Sequence, residues 1–194
     1  QDVWSIVMGL TLIASAEPDA STPAVITFTD GTDGVVFDNT YNEYQFYCVN
    51  IHPETDNTGL QWQVNAASGD NQAGFDQVIT STAVRAYHPE DGSDQGVGYQ
   101  TSEDQAQEAG YEWVSENVGN QNNECLCAIL TIYDPSSAYI KHFTVEANTH
   151  MSGDGSKHGL RSGYINEPDP IDEINFKMSS GSIQSGTIYM YGVS

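Results

Sequence analysis

Positive charge is scarce in this chain. Lysine and arginine together number five, against 27 aspartate and glutamate residues, and the formal net charge is −22. The five cations are isolated along the sequence, at Arg85, Lys141, Lys157, Arg161 and Lys177. Because phosphate binding needs clustered Lys and Arg, we expect no nucleic-acid partner and no binding to an anionic membrane surface. So acidic a surface suits a salty medium that screens self-repulsion, which favours a marine or saline origin.

Cysteine is also scarce, and its count of three is odd. An odd count excludes a framework in which every cysteine is paired within the chain. Cys125 and Cys127 would lie on one face of a strand, but no CxxC or HxxxH pattern supplies the further ligands of a zinc site. We therefore interpret these two residues and Cys48 as buried free thiols.

Long apolar runs are missing as well. No run approaches the roughly 20 apolar residues of a membrane-spanning helix, so we expect no membrane insertion. Residues 4–14 have the apolar character of a signal-peptide core, but no basic residue precedes them and Asp2 has the wrong sign. We interpret this segment as the first strand, buried on both faces.

Glycine, serine, threonine, asparagine and tyrosine are abundant, a composition typical of turn-rich antiparallel β proteins. The sequence contains about ten strand candidates at short spacing with turn signals between them. We predict an all-β fold, an antiparallel two-sheet β-sandwich of jelly-roll type, as a single domain over residues 1–194. Besides the ends of the chain, the strand candidates are 24–28, 44–51, 60–64, 77–87, 111–118, 125–133 and 139–146.

The C-terminal residues 171–192 predict a β-hairpin. Apolar residues alternate with polar ones up to residue 178, a Ser- and Gly-rich turn follows, and residues 187–191 form the return strand. Lys177 is expected on the solvent side of this hairpin. The side chains expected to enter one core are Ile174, Phe176, Ile188 and Met190.

Three segments do not match the strand pattern. Residues 101–109 resemble a short helix with Thr101 as its N-cap, although an exposed excursion is an open alternative because the segment has almost no apolar stripe. Residues 90–98 are interpreted as a loop. Residues 150–162 are rich in glycine and are also interpreted as a loop.

The sequence spacing of Glu167, Asp169 and Asp172 is close to that of the catalytic carboxylates on one strand of sandwich glycanases. Pro168 and Pro170 would remove hydrogen bonds from such a strand, so we interpret the segment as a solvated turn. No arrangement of Ser, His and Asp in the sequence indicates a catalytic triad. We therefore predict a protein that is not an enzyme and that needs no cofactor.

Metal ligands can be sought among the histidines and aspartates. His150 and His158 lie in the Gly-rich segment without a fixed face, and no metal site is predicted there. Four aspartates in Gly-containing turns could offer oxygens to Ca²⁺, but nothing follows the EF-hand pattern and ordinary Asx turns are favoured. These weak calcium candidates are Asp30, Asp33, Asp91 and Asp94.

Aromatic residues border the long polar excursion in the middle of the chain, and they could stack against a sugar. Core packing and subunit interfaces use the same residue types, so both interpretations stay open. The weak glycan-binding candidates are Tyr87, Tyr99, Tyr111 and Trp113.

Three segments carry a resemblance to a known group of proteins. The ending INFKMSSGSIQSGTIYMYG resembles a C-terminal signature of uncharacterised structural proteins of tailed bacteriophages, "SSGxIxSGTIxxYG". Residues 44–52 and 133–143 resemble a strand and a hairpin of the same proteins. The resemblance implies a β-sandwich protein of the virion surface, often trimeric, with no catalytic residues shared across the group.

The function expected from this resemblance is that of a capsid decoration or head-fibre subunit. Its partners would be further copies of itself, as a trimer, and other virion proteins such as the major capsid protein. The alternative is a tail-fibre or receptor-binding module that recognises host-surface glycans.

Overall fold

The computed structural model describes residues 9–66 and 74–194, and this part of the chain is all-β without helix. The all-β prediction is therefore confirmed. The strands are β1 (Leu10–Ala16), β2 (Ile26–Thr29), β3 (Glu43–Pro53), β4 (Thr58–Ala66), β5 (Ile79–Pro89), β6 (Gly96–Tyr99), β7 (Ala106–Glu108), β8 (Glu112–Val118), β9 (Leu126–Tyr133), β10 (Lys141–Met151), β11 (Gly155–Ile165), β12 (Ile171–Met178) and β13 (Ile183–Val193).

Antiparallel pairing links these strands into one nearly barrel-shaped sheet. The large group has the order β1-β13-β3-β9-β10-β11-β5, with β6 and β7 paired to β5. The small group has the order β8-β4-β12-β2. A single pair of residues, Met151 and Val118, joins β10 of the large group to β8 of the small group.

The C-terminal hairpin prediction is wrong, because β12 and β13 do not pair with each other. β12 pairs with β2 and β4, whereas β13 pairs with β1 and β3. The turn between them is tied to the start of β4, where the Ser179 and Thr58 hydroxyls lie 2.8 Å apart. The chain thus crosses from the small group to the large group, and each strand turns its apolar face to the other group.

The core lies between the two groups. The ring of Phe46 on β3 contacts Phe28 on β2 and Phe176 on β12, with centroid distances of 5.6 and 5.7 Å. Trp62 on β4 contacts Phe143 on β10 at 4.9 Å. All four side chains predicted to share a core are fully buried in this cluster, namely Ile174, Phe176, Ile188 and Met190. Buried aromatics of this size contribute strongly to stability.

The N-terminal strand differs from its prediction. In its described part, β1 exposes about half of the surface of Leu10 and Leu12, so it is not buried on both faces. The reason is its position, because among the described strands β1 pairs with β13 alone, at the end of the sheet. Residues 4–8 of the predicted segment lie outside the described residues.

The predicted helix is wrong and the two predicted loops are wrong in part, whereas the alternative of an exposed excursion for residues 101–109 agrees with the exposed residues of β7. Residues 101–109 form a turn followed by β7, and not a helix, because the segment lacks an apolar stripe and β7 pairs with β5. The predicted loop 90–98 ends in β6, which also pairs with β5. The predicted loop 150–162 contains the end of β10 and most of β11. No helix in residues 9–66 or 74–194 is long and apolar enough to cross a membrane.

All five cationic side chains lie in the described ranges, and none is exposed. Lys157 Nζ lies 3.4 Å from Glu103 Oε1, and Arg161 contacts the other oxygen of the same carboxylate. Arg161 Nη1 also donates to the Val114 carbonyl at 2.6 Å. These residues belong to β11, β8 and the turn before β7, so one buried ion cluster ties the two groups together.

Lys141 is fully buried in a cage of backbone carbonyls. Its ammonium, which has three N–H donors, lies 2.7 to 3.0 Å from four acceptors, the carbonyl oxygens of Ser137, Tyr139, Glu167 and Asp169. Two of these carbonyls belong to the turn after β9 and two to the connector before β12. Burial lowers the Lys141 pKa, against the opposing effect of Glu167, Asp134 and Asp169.

Glu112 on β8 is fully buried as well, and one of its oxygens accepts the Trp113 N–H at 2.9 Å. Burial raises the pKa of Glu112 to about 7, although hydrogen bonds with Ser81 and Trp113 oppose the shift. The fold therefore favours the protonated form of this carboxyl below about pH 7.

We expect Lys141→Met to lower the free energy of unfolding by about 3 kcal/mol or more, because four inward carbonyls lose their donor. Urea unfolding followed by tryptophan fluorescence measures the change. Lys177→Met is the control, because Lys177 lies half-buried over the Tyr111 ring at 3.9 Å, a contact worth about 0.5–1 kcal/mol. Equal losses in the two variants would contradict the role of the cage.

We expect the free energy of unfolding to fall as pH rises from about 4.5 to 7. The folded protein keeps a proton on Glu112 that the unfolded chain releases above its ordinary pKa of 4.5. The total loss is about 3 kcal/mol, since one pKa unit corresponds to about 1.4 kcal/mol. Urea titrations at several pH values compare the wild type with Glu112→Gln, which should be the more stable at pH 8.

Glu146→Gln, at an exposed position, is the matched control and should keep the wild-type pH dependence. A Glu112→Gln variant with the same pH dependence as the wild type would show that Glu112 titrates normally.

Candidate functional site

The outward face of the large group carries side chains in rows, because residues opposite each other in antiparallel strands point to the same face. One row crosses five strands and consists mainly of hydroxyl groups. Its members, from β5 through β11, β10 and β9 to β3, are Thr82, Ser162, Thr144, Thr131 and Gln45.

The next row along the same five strands is mainly apolar. Its members are Val84, Leu160, Glu146, Ile129 and Tyr47. Tyr99 on β6 extends this row at one end, and Tyr189 on β13 extends it at the other. The hydroxyl row and this apolar row together line a recess of about 590 Å³, which we call the outer groove.

The outer groove differs in charge from the rest of this acidic protein. Among its ten row residues, Glu146 alone is charged. Arg161 also borders the recess, but its guanidinium is buried against Glu103 and the Val114 carbonyl. Leu160 and Val84 expose 48% and 40% of their surface, which is high for aliphatic residues on a sheet. Contiguous exposed apolar surface with a polar border is typical of a contact site.

Hydrogen bonds hold the β3 end of the groove in place. The Tyr47 hydroxyl donates to Gln45 Oε1 at 3.0 Å, and Gln45 Nε2 donates to Glu43 Oε1 at 2.5 Å. The Tyr47 ring also packs edge-on against Tyr191 with centroids 5.2 Å apart. An amide and an aromatic ring are therefore positioned before any ligand arrives, which lowers the entropy cost of binding.

Two shallower recesses continue the groove on either side. Beyond the hydroxyl row, a recess of about 410 Å³ includes Tyr133, His142 and Tyr164. Beyond the apolar row, a recess of about 340 Å³ includes Cys127 and His158. Both share lining residues with the outer groove, so the concave surface is continuous across the face.

The four predicted glycan-binding aromatics lie at different places, and Tyr99 alone joins the row of the outer groove. Tyr99 and Tyr87 donate their hydroxyls to Asp104 and Asp94, and these bonds raise the pKa of both phenols.

The other two aromatics belong to the small-group side. Tyr111 donates to Asn175 Oδ1 on β12, and Lys177 lies over its ring. Trp113 lies in β8 opposite Gln61 of β4. Sugar binding by these four aromatics stays a prediction.

Of the four calcium candidates, Asp91 makes the contact of an ordinary Asx turn, whereas Asp30 and Asp94 bond to residues seven positions away in the sequence. Asp30 and Asp91 accept backbone N–H groups from Phe37 and Ser93, both at 2.8 Å. Asp94 accepts the Tyr87 hydroxyl, and Asp33 has a left-handed backbone with φ of 51°. In the described part of the chain, no group of three or more His, Cys, Asp or Glu residues could hold a metal ion.

The histidines and carboxylates considered from the sequence also have protein partners. His150 on β10 lies between Glu90 and Glu124, at 3.4 and 3.7 Å, and His158 on β11 lies 3.8 Å from Glu146. Glu167 accepts the Asp169 N–H at 2.7 Å within the connector, whereas Asp172 lies in β12.

All three cysteines are free, as predicted, but only Cys48 is buried. Cys125 is partly exposed and Cys127 is exposed, so the prediction of burial is wrong for these two. The backbone N–H of Asn50, whose φ is 52°, donates to Cys127 Sγ at 3.3 Å. Cys127 is exposed because it lies on the outward face of β9.

Sequence reasoning missed the β11 side of the outer groove. β11 alternates over most of its length, but its inward residues are glycines and cations apart from Ile165, and its outward residues include Leu160. A side chain at Gly163 would collide with the Phe143 ring and the Thr80 backbone, so the inward position requires glycine. A search for any alternation of period two, including one in which the polar residues point inward, would have predicted this strand.

The chain was compared with models of known protein families, with curated proteins and with solved structures, and none of the three comparisons returned a match.

Proposed function

We propose that this chain is a non-enzymatic structural protein on the surface of a tailed-bacteriophage virion, a capsid decoration or head-fibre subunit. It acts as a homo-oligomer, a trimer, in contact with other virion proteins such as the major capsid protein. Support comes from the resemblance of its C-terminal segment to phage structural proteins and from the edge of its sheet.

The fold proposed for this role is the two-sheet sandwich. The large group and the small group would be its two layers, because aromatic side chains from β2, β4 and β12 pack against those from β3 and β10. The crossing from β12 to β13 fits a jelly-roll connection between layers. A rigid β scaffold of this kind suits a structural protein, whose role is to contact neighbouring proteins.

The observation that carries the structural role is the uncharged edge strand β1. Its seven residues, LTLIASA, contain no charge and no proline, and Leu10 and Leu12 are exposed by 52% and 53%. Edge strands of soluble proteins normally carry charges, prolines or bulges that prevent pairing with another chain. β1 has a register shift between Leu12 and Ala14 but lacks the other two devices, which favours contact with a neighbouring subunit or shell protein.

The net charge strengthens the case for a contact through β1. Subunits of charge −22 repel one another, so stable contact requires uncharged surface and screening by salt. β1 offers such a surface at the end of the large group. High salt screens this repulsion, so the subunits should assemble best under that condition.

A second candidate function is a tail-fibre or receptor-binding module for host-surface glycans. The observation that favours it is the recessed, nearly uncharged outer groove with its row of hydroxyl groups. A structural subunit and a receptor-binding module differ in copy number per particle, because decoration proteins cover the shell whereas fibres are few.

We expect the wild-type protein at high salt to be an oligomer with about three times the monomer mass of 21.1 kDa. Leu12→Glu should shift it to the monomer, because a carboxylate at the exposed edge opposes subunit contact. Light scattering coupled to size exclusion measures the mass. Leu160→Glu makes the same change in the outer groove and should leave the oligomer intact.

A wild-type monomer at high salt would contradict the proposed oligomer. The virion role itself is tested by quantitative mass spectrometry of gradient-purified particles that encode this chain. Many copies per particle support a decoration protein, few copies in purified tails support a tail fibre, and absence from the particles rejects both.

A further inference from the structure

We propose that the outer groove binds an extended, uncharged polysaccharide that runs across the strands. This inference rests on the second candidate function, glycan binding in the outer groove, and it names the class of glycan; it does not depend on the structural role of β1. Its residues differ from the aromatics selected from the sequence, apart from Tyr99 at the end of the apolar row.

The shape of the groove indicates an extended ligand. The two rows cross five strands, and strands spaced by about 4.8 Å make the groove roughly 20 Å long. The flanking recesses widen the concave surface without closing it. A long open groove of this kind fits a chain that passes through it better than a small molecule that needs enclosure.

The chemistry of the two rows matches the two kinds of surface that a sugar ring presents. Sugar hydroxyls need donors and acceptors, which Thr82, Ser162, Thr144 and Gln45 offer along one wall. The C–H faces of sugar rings need apolar or aromatic surface, which Leu160, Val84 and Tyr47 offer along the other wall. These four polar and three apolar or aromatic side chains therefore meet the two sides of the ligand.

Charge selects a neutral chain. The protein carries −22, and Glu146 projects from the centre of the apolar row with 67% of its side chain exposed. Anionic polysaccharides and nucleic acids would meet repulsion without a single exposed lysine or arginine in the described residues to offset it. An uncharged polysaccharide meets no such barrier.

A second copy of the chain is a poorer occupant of the groove. A two-fold contact through this face would set one recess against another and leave unfilled space between them. It would also bring two Glu146 carboxylates close together near the axis. The β1 edge, two strands beyond Tyr47, is better suited to contact between copies.

Affinity electrophoresis in native gels tests the proposal. The probes are dextran, hydroxyethylcellulose, laminarin and galactomannan as neutral polysaccharides, with polygalacturonate as the anionic control. We expect at least one neutral polysaccharide to retard the wild-type protein, and polygalacturonate to leave its mobility unchanged. No retardation by any neutral probe would overturn the proposal, and so would equal retardation by polygalacturonate.

Two pairs of variants locate the site. Leu160→Glu in the groove should weaken binding more than tenfold, whereas Leu12→Glu on β1 should leave it unchanged. Thr144→Val should weaken binding roughly fivefold through the loss of one hydroxyl, whereas Thr11→Val on β1 should have no effect. Thermal unfolding of each variant confirms that the fold is intact.

The remaining outcomes all decide against the groove. Binding that survives Leu160→Glu but is lost in Tyr111→Ala places the site on the small-group side. A change of oligomeric mass in Leu160→Glu makes the groove an interface between copies. Because Leu12→Glu tests assembly and Leu160→Glu tests sugar binding, failure of one proposal is distinguishable from failure of the other.

Discussion

The structure depends on the burial of cationic side chains, of which the chain has few. Lys141 and Lys157 are fully buried and Arg161 is nearly so, in a chain with 27 acidic residues. Taking a charge out of water costs several kcal/mol unless partners surround it, and here the partners come from separate parts of the fold. Glu103 and the Val114 carbonyl hold β11 near β8, while four carbonyls around Lys141 hold the turn after β9 near the connector before β12. These buried cations thus hold the two groups of strands together where they meet.

The same arrangement determines the surface. Every lysine and arginine of the chain is at least partly buried. Among the described residues, the exposed charged side chains are therefore carboxylates, and histidine is the one basic residue type that is exposed. Contact with another molecule is therefore easiest where carboxylates are absent. The β1 edge is such a place, and the outer groove comes near to it, with Glu146 as the one charged residue of its two rows; β13 lies between β1 and the groove in the strand order. A protein with this surface is suited to salty surroundings and to partners that carry no negative charge.

Particular strands show why some elements were predictable and others were not. β3 and β4 alternate apolar and polar residues in the usual sense, and both were found from their sequence. β11 alternates just as regularly, but glycines and cations occupy its inward positions, so hydropathy alone indicates a loop. Residues 101–109 have acids that suggest a helix start, yet Glu103 turns inward to pair with Lys157. In both cases the deciding contact involves residues distant in the sequence.

The sequence by itself determined the all-β class, most strand positions, the inward residues of the last two strands and the strongly acidic character, because these follow from local periodicity and composition. The tertiary structure alone decided that β12 and β13 belong to different groups, that isolated cations meet in a common interior and that ten outward residues form one groove. Strand partners are chosen by the burial of whole faces and by the pairing of buried charges. Those energies depend on contacts between distant segments, and no local pattern in the sequence records them.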